Sequence, residues 1–232
     1  LKKIVLECGG KNPAVVFDDA ENLDHVAQHV VNAAFWNAGQ NCSATSRLIV
    51  HKAIKAPLME KIEARLRDWK VGDPLDPNTH IGALIDAEHC KKVRSFLNKA
   101  DQGEGPYVSP VIYNVKNGDA KASDEIFGPV LSVIEVASND EAIVVANDTD
   151  YGLAASVFTA NTRRAIRAAR DIRAGTVTVN CYGEGDIATP FGGYKQSGFG
   201  GRDNGVHAHD QFTELKTIWI DLTDPQSGDN VR

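Results

Sequence analysis

The sequence predicts an α/β protein built on a mostly parallel sheet, and two observations predict it. Short apolar runs bounded by Gly, Pro and Asp alternate with segments of helical period along most of the 232 residues. In the later half, successive strand-like runs are separated by whole helices, the long crossover that parallel strands need and hairpins do not. Continuous apolar runs, rather than alternating ones, fit strands covered on both faces.

The elements follow in order. Residues 3–7 and 13–17 read as strands, the second being Pro13-Ala14-Val15-Val16-Phe17. Over 22–37 the period becomes helical, with Leu23, Val26, Ala27, Val30 and Ala34 on one face. Asn22 is the expected N-cap and Gly39 the expected left-handed stop. A strand at 48–50 precedes an amphipathic helix at 54–70, marked by Leu58, Ile62, Leu66 and Trp69 and closed by Gly72-Asp73-Pro74. A further helix covers 86–99, and the short loop Gly103-Glu104-Gly105-Pro106-Tyr107 leads directly to a strand. Strands at 130–136, 154–159 and 175–180 then alternate with helices at 139–147 and 162–173. Residues 190–201 are glycine-rich, and 213–221 read as a final strand.

Composition excludes several function classes. With 25 basic and 31 acidic residues the net charge is −6, and no basic cluster points to nucleic acid. No apolar run approaches the ~20 residues that span a bilayer, and no charged-then-apolar leader opens the chain, so a cytoplasmic protein is expected. Cys8, Cys42, Cys90 and Cys181 form neither CxxC nor a zinc-spaced cluster with His, so reduced thiols and no metal are expected. Leu1 to Leu6 reads as a strand already in progress, as in a piece of a longer chain.

Three segments carry chemistry. Phe35-Trp36-Asn37-Ala38-Gly39-Gln40-Asn41-Cys42-Ser43-Ala44 sets a cysteine on a small polar loop where donors can stabilise a thiolate, although a lone cysteine also packs as a small hydrophobe. Leu6-Glu7-Cys8-Gly9-Gly10-Lys11 sets a carboxylate before two glycines that permit close backbone approach to a ligand. Glu7 there reads equally well as an activator of water or as a strand-end acid. Glu125-Ile126-Phe127-Gly128-Pro129 offers a bidentate acceptor for vicinal hydroxyls and an aromatic face for a flat heterocycle, or else a plain turn with a buried ring.

These segments, together with Ala146-Asn147, Tyr151-Gly152-Leu153 and the run from Pro190 to Gly198, resemble in order the signature motifs of the aldehyde dehydrogenase superfamily. The interval of 35 positions from Glu7 to Cys42 is also similar to the family's. The resemblance implies a three-layer catalytic domain with a mostly parallel sheet plus a C-terminal oligomerisation strand. It divides the chain into the end of a cofactor-domain strand (1–7), the catalytic domain (8–197), a return segment to an absent cofactor domain (198–212) and an oligomerisation strand with tail (213–232). It implies Cys42 as nucleophile and Glu7 as base, with Glu125 holding the nicotinamide ribose and Phe127 beside the ring. Trp36, Asn41, Ser43, Glu184, Asp186 and Phe191 would line the substrate pocket. Trp36 would offer a cation–π face and Glu184 or Asp186 a counter-charge to an amine, although Trp36 reads equally well as core and the two acids as solvated loop residues. The cofactor would be NAD or NADP, with NAD favoured, and the subunit a homodimer or homotetramer.

The implied reaction is oxidation of an aldehyde, an ω-aminoaldehyde by similarity to aminoaldehyde and γ-glutamyl-γ-aminobutyraldehyde dehydrogenases, through a cysteine thiohemiacetal and thioester. Because the likeness is to the C-terminal half of the family's subunit, the chain alone is expected to be inactive. Cys8 departs from the family's usual leucine, and the 103–107 loop is shorter than in relatives. Two alternatives remain: a non-catalytic assembly module of the same fold, and a CoA-acylating semialdehyde dehydrogenase, for which Glu7 would be superfluous.

Overall fold

Six apolar runs pair into one sheet in the computed structural model, which describes residues 1–183 and 185–222. In spatial order they are β4 (Val111–Asn114), β5 (Val130–Val136), β3 (Thr45–His51), β2 (Asn12–Val16), β6 (Ala154–Phe158) and β7 (Thr176–Val179). Every neighbouring pair is parallel, as the crossover helices require. β1 (Leu6–Glu7) stands apart and pairs antiparallel with β8 (Gly198–Phe199), so Glu7 lies opposite Gly198.

Alternation along each strand feeds two cores. Ala14, Val16, Leu48, Val50, Leu131 and Val133 face α1 (Leu23–Phe35), α2 (Lys52–Leu66) and α3 (Ala87–Ser95). Val15, Ile49, Ile134, Val136, Ala155 and Val157 face the layer of α4 (Ala120–Ser123), α5 (Asn139–Asn147) and α6 (Thr162–Asp171). The result is three layers, helix–sheet–helix, as expected. Leu48, Ile49 and Val50 are each 0% exposed, which identifies β3 as a fully covered central strand.

Several boundaries differ from the sequence reading for identifiable reasons. Asn22 caps α1 through Oδ1, which accepts the His25 N–H at 3.2 Å. The helix nevertheless stops at Phe35, because Asn37, Ala38 and Gly39 all take left-handed backbone angles. The helix read over 54–70 begins at Lys52, capped by His51, and ends at Leu66. Trp69 extends its apparent period because it packs edge-on against Phe35 from beyond the helix, with ring centroids 6.3 Å apart. The segment 86–99 is helical only over Ala87–Ser95. The strand expected directly after the 103–107 loop is β4, a half-exposed edge strand of four residues that begins only at Val111.

The strand read over 3–7 contracts to Leu6–Glu7. The stretch 213–221 forms no ladder among the described residues, and Leu215, Ile218, Trp219 and Ile220 stand exposed there. A strand without a partner has nothing to satisfy its backbone groups. The four cysteines are joined by no disulfide, and no described helix is long and apolar enough to cross a membrane.

One polar side chain fastens the layers. Arg47, fully buried on β3, donates from Nε to the Lys11 carbonyl at 2.9 Å and from its two terminal nitrogens to the carbonyls of Val145 and Ala146, each at 3.0 Å. The last two belong to the final turn of α5, where carbonyls are short of helical partners (that of Val145 has only the Asp148 N–H at 3.3 Å) and the dipole favours a cation. Burial pushes the guanidinium down to about 10, so it stays charged at neutral pH. Replacing it by an apolar side chain takes a charged donor from three buried carbonyls, of which that of Val145 keeps only the Asp148 N–H at 3.3 Å. Arg47→Met is therefore expected to cost about 3 kcal/mol or more, read as a lower urea midpoint at unchanged slope. An unchanged midpoint would remove Arg47 from this role.

Candidate active site

Four chemistry-bearing segments precede a strand of the sheet in sequence: Glu7 to Lys11 before β2, Cys42 before β3, Glu125 to Pro129 before β5, and 149–153 before β6. Because these strands run parallel, such segments collect at the amino edge of the sheet. Topology thus brings together residues more than a hundred positions apart.

The two glycines after Cys8 admit protein side chains. A Cβ on Gly9 would stand 2.3 Å from Glu125 Oε1, and one on Gly10 would stand 2.6 Å from Asn12 Oδ1. Glu7 Oε1 accepts the Gly9 N–H at 2.9 Å, and Glu125 Oε1 accepts the Gly10 N–H at 2.9 Å. The motifs of Glu7 and Glu125 are therefore one structural unit. Burial raises the Glu125 carboxyl above its ordinary value against the opposing pull of the Gly10 N–H, and the neighbouring Glu7 charge adds to the rise. Glu125 Oε2 meets no donor among the described residues.

Gly39 connects the Cys42 loop to the Glu125 turn. Its φ is +70°, and a Cβ there would fall 2.2 Å from the Gly128 carbonyl oxygen. Phe127 adopts φ +57°, a left-handed conformation that costs a bulky residue energy and that surrounding contacts must enforce. His89 supplies them: its Nε2 donates to the Phe127 carbonyl at 2.7 Å, and its ring meets that of Phe127 edge-on at 6.0 Å.

Cys42 is half-buried on a turn in which the Ala44 N–H donates to the Asn41 carbonyl at 3.0 Å. Of the polar residues expected to serve it, Gln40 faces away and accepts the Ile85 N–H at 3.0 Å. Asn41 and Ser43 instead meet Tyr182. Asn41 Nδ2 donates to the Tyr182 hydroxyl at 3.0 Å, and Ser43 Oγ lies 3.3 Å from the same oxygen. Tyr182 in turn donates its backbone N–H to His29 Nδ1 at 3.2 Å, which ties the loop after β7 to α1. Sequence reasoning gives Tyr182 no role, since only the fold sets its hydroxyl beside both neighbours of Cys42.

The remaining pocket residues are more dispersed. Trp36 is 61% exposed on the left-handed turn, so it is not core. Phe191 is buried, and its backbone exchanges two 2.7 Å hydrogen bonds with Asp203. Asp186 is exposed, and its carboxylate is engaged locally by the Ala188 N–H at 2.7 Å. Glu184 lies outside the described residues, as does the tail 223–232. Among the described residues no three His, Cys, Asp or Glu side chains converge as a metal site.

Sequence reasoning gives Lys11 no role either. Lys11 is 1% exposed, and its Nζ has no hydrogen-bond partner among the described residues. Burial first, then the Arg47 charge, push its amine down from 10.5 to about 7, against the opposing pull of Asp124 and Glu125.

A cysteine turn and two carboxylates gathered at the amino edge of a three-layer α/β sheet define the class of site. The chain belongs to the aldehyde dehydrogenase family, whose profile it matches over residues 1–218. It is 58% identical to aminoacetaldehyde dehydrogenase of Pseudomonas aeruginosa over 96% of its own length and 47% of that protein. Among solved structures, it superposes with a TM-score of 0.85 and 46% identity on γ-glutamyl-γ-aminobutyraldehyde dehydrogenase of Burkholderia cenocepacia, covering 91% of this chain and 46% of that one. Indole-3-acetaldehyde dehydrogenase complexed with NAD+ gives a TM-score of 0.88 at 45% identity, with 94% and 47% covered. The chain thus spans about half the length of the relatives it matches.

The Lys11 amine sets a pH dependence of known sign. Between about 7 and 10.5 the unfolded chain holds a proton on Lys11 that the folded chain has released, so this residue makes stability rise with pH across that window. The slope is at most ~1.4 kcal/mol per pH unit for one proton. Lys11→Met is expected to be the more stable protein at pH 7 and to lose this slope in urea titrations run from pH 7 to 9.5. Parallel pH profiles for the two proteins would contradict it.

Proposed function

We propose that this chain is the catalytic-domain portion of an NAD- or NADP-dependent enzyme that oxidises an aldehyde to the carboxylic acid, with Cys42 as nucleophile and Glu7 as base. The observation that carries this reading is the Gly9–Glu125 and Gly39–Gly128 packing, which joins the cysteine turn, the Glu7 carboxylate and the Glu125 turn at one sheet edge.

The Cys42 thiolate adds to the aldehyde carbon, forming a C–S bond and a thiohemiacetal. A bound nicotinamide cofactor supplies the hydride acceptor. Oxidation of the adduct leaves a thioester on Sγ. Glu7 then takes a proton from water as the water oxygen attacks the thioester carbon, and Cys42 departs as thiolate with release of the acid. Glu125 fits the role of ribose holder: one oxygen is fixed on the Gly10 N–H, and the other is left for a hydroxyl. Phe127, held in its left-handed conformation by His89, is proposed to wall the nicotinamide ring. NAD is favoured, in keeping with the relative solved with NAD+.

The substrate proposal is an ω-aminoaldehyde, which the name of the Pseudomonas relative supports. Exposed Trp36 offers its indole face to an ammonium group. Asn41 and Ser43, together with Glu184, Asp186 and Phe191, would complete the pocket. The apolar stretch 213–221 would pair with a neighbouring subunit's sheet in a homodimer or homotetramer. The location proposed is cytoplasmic, and the chain alone is proposed to be inactive for want of the dinucleotide-binding half.

Three measurements test this reading. In the complete subunit, Cys42→Ala abolishes turnover, whereas Glu7→Gln keeps the first burst of product and lowers steady turnover by ~10²-fold or more. The 232-residue chain by itself gives no NAD-dependent turnover; appreciable activity would overturn the half-subunit assignment. Loss of Trp36 raises KM for 4-aminobutyraldehyde more than for a neutral isostere, and equal effects on both would rule out an ammonium site there.

A further inference from the structure

The Cys42 backbone is held from the interior by a side chain that no motif reading assigns to it. Asn12, 3% exposed, opens β2 at the point where the β2–β3 register shifts. Its Nδ2 donates to the Cys42 carbonyl at 2.8 Å and to the Ala44 carbonyl at 3.0 Å, while its Oδ1 accepts the Ala154 N–H at 3.0 Å. The amide orientation is forced: only the oxygen can face the Ala154 N–H, and only the nitrogen can face two carbonyls.

These bonds restrict Cys42 strongly. The peptide before Cys42 is oriented by its carbonyl, which accepts the Ala44 N–H within the turn. The peptide after Cys42 is oriented by the Cys42 carbonyl, which accepts from Asn12. With both flanking peptide planes fixed, φ and ψ of Cys42 are fixed, and the direction of Sγ reduces to a choice of χ1 rotamer. Gly10 serves the same arrangement, because a Cβ there would occupy the place of Asn12 Oδ1. No other side chain of this size carries two donors and an acceptor on one rigid plane; a carboxylate would set an anion against two carbonyls.

We infer that Asn12 is the positioning residue of the Cys42 thiol, fixing its direction by hydrogen bonds to the carbonyls of Cys42 and Ala44. This rests on the reading of Cys42 as the nucleophile.

The test is iodoacetamide alkylation of the full 232-residue chain, with each cysteine followed separately by mass spectrometry between pH 5 and 9. Exposed Cys8 and Cys181 serve as internal references. In the wild-type chain, Cys42 is labelled ahead of both at pH 6, where an ordinary thiol is largely protonated. Asn12→Asp is nearly isosteric but has no donors when ionised, and Asn12→Ala removes the group altogether. Each is expected to slow Cys42 about tenfold or more across the pH range while the rates of Cys8 and Cys181 stay unchanged.

Whichever variant keeps a cooperative melt decides between the outcomes. A Cys42 rate within about threefold of wild type in that variant overturns the inference. So does an equal change at all three thiols, or the loss of the melt in both variants, since either makes Asn12 merely structural. Unselective labelling of the wild-type chain sinks the nucleophile reading itself, and the positioning inference with it.

Discussion

The buried Arg47 guanidinium is the constraint on which the arrangement of the site depends. It joins the central strand β3 to the entry of β2 and to the end of α5 through three carbonyls. A charge taken so far from water is tolerable only with good hydrogen-bond geometry, and the final turn of a helix supplies carbonyls with acceptor capacity to spare. Its influence then passes along the chain. Arg47 fixes the Lys11 carbonyl, its charge helps to hold the Lys11 amine near neutrality, and the next residue, Asn12, reaches across to the Cys42 turn. The interior that stabilises the sheet is therefore the same interior that orients the thiol.

Parallel topology decides where the site forms. Open α/β sheets commonly bind ligands at the carboxyl ends of their strands. In this sheet the carboxyl edge near β2 and β6 is taken up by charge pairing, with Arg164 held by Asp18 at 2.9 Å and Asp19 at 2.7 Å and with Asn139 donating to Asp18 at 2.8 Å. The amino edge carries the cysteine turn, the double glycine and the Glu125 turn. There the glycines remove the side chains that would otherwise keep these three loops apart.

Much of the fold is legible in the sequence because burial imposes period. The strands at 130–136 and 154–159 and the helix at 139–147 lie within a residue of their expected bounds, since each presents a continuous apolar run or a clear cap. Errors arise where an apolar side chain enters the core from outside its helix. Trp69 does so beyond α2, and buried Leu97 does so beyond α3. The end of α1 is misplaced for another reason: three successive left-handed residues are hard to anticipate when two of them, Asn37 and Ala38, are not glycine.

The sequence by itself determined the fold class, the order of the elements and the family, because hydrophobic period and motif order are local properties of the chain. It also singled out Cys42, Glu7, Glu125 and Phe127 as the residues with chemistry to offer. Only the tertiary structure decided how they are held: Glu125 on the Gly10 N–H, Phe127 under His89, Asn41 and Ser43 on the Tyr182 hydroxyl, and Cys42 on Asn12. Most of these contacts join residues tens to more than a hundred positions apart, and a hydrogen bond at 3 Å depends on the relative placement of whole strands. No periodicity encodes that placement; it emerges when the parallel sheet brings its amino ends into line.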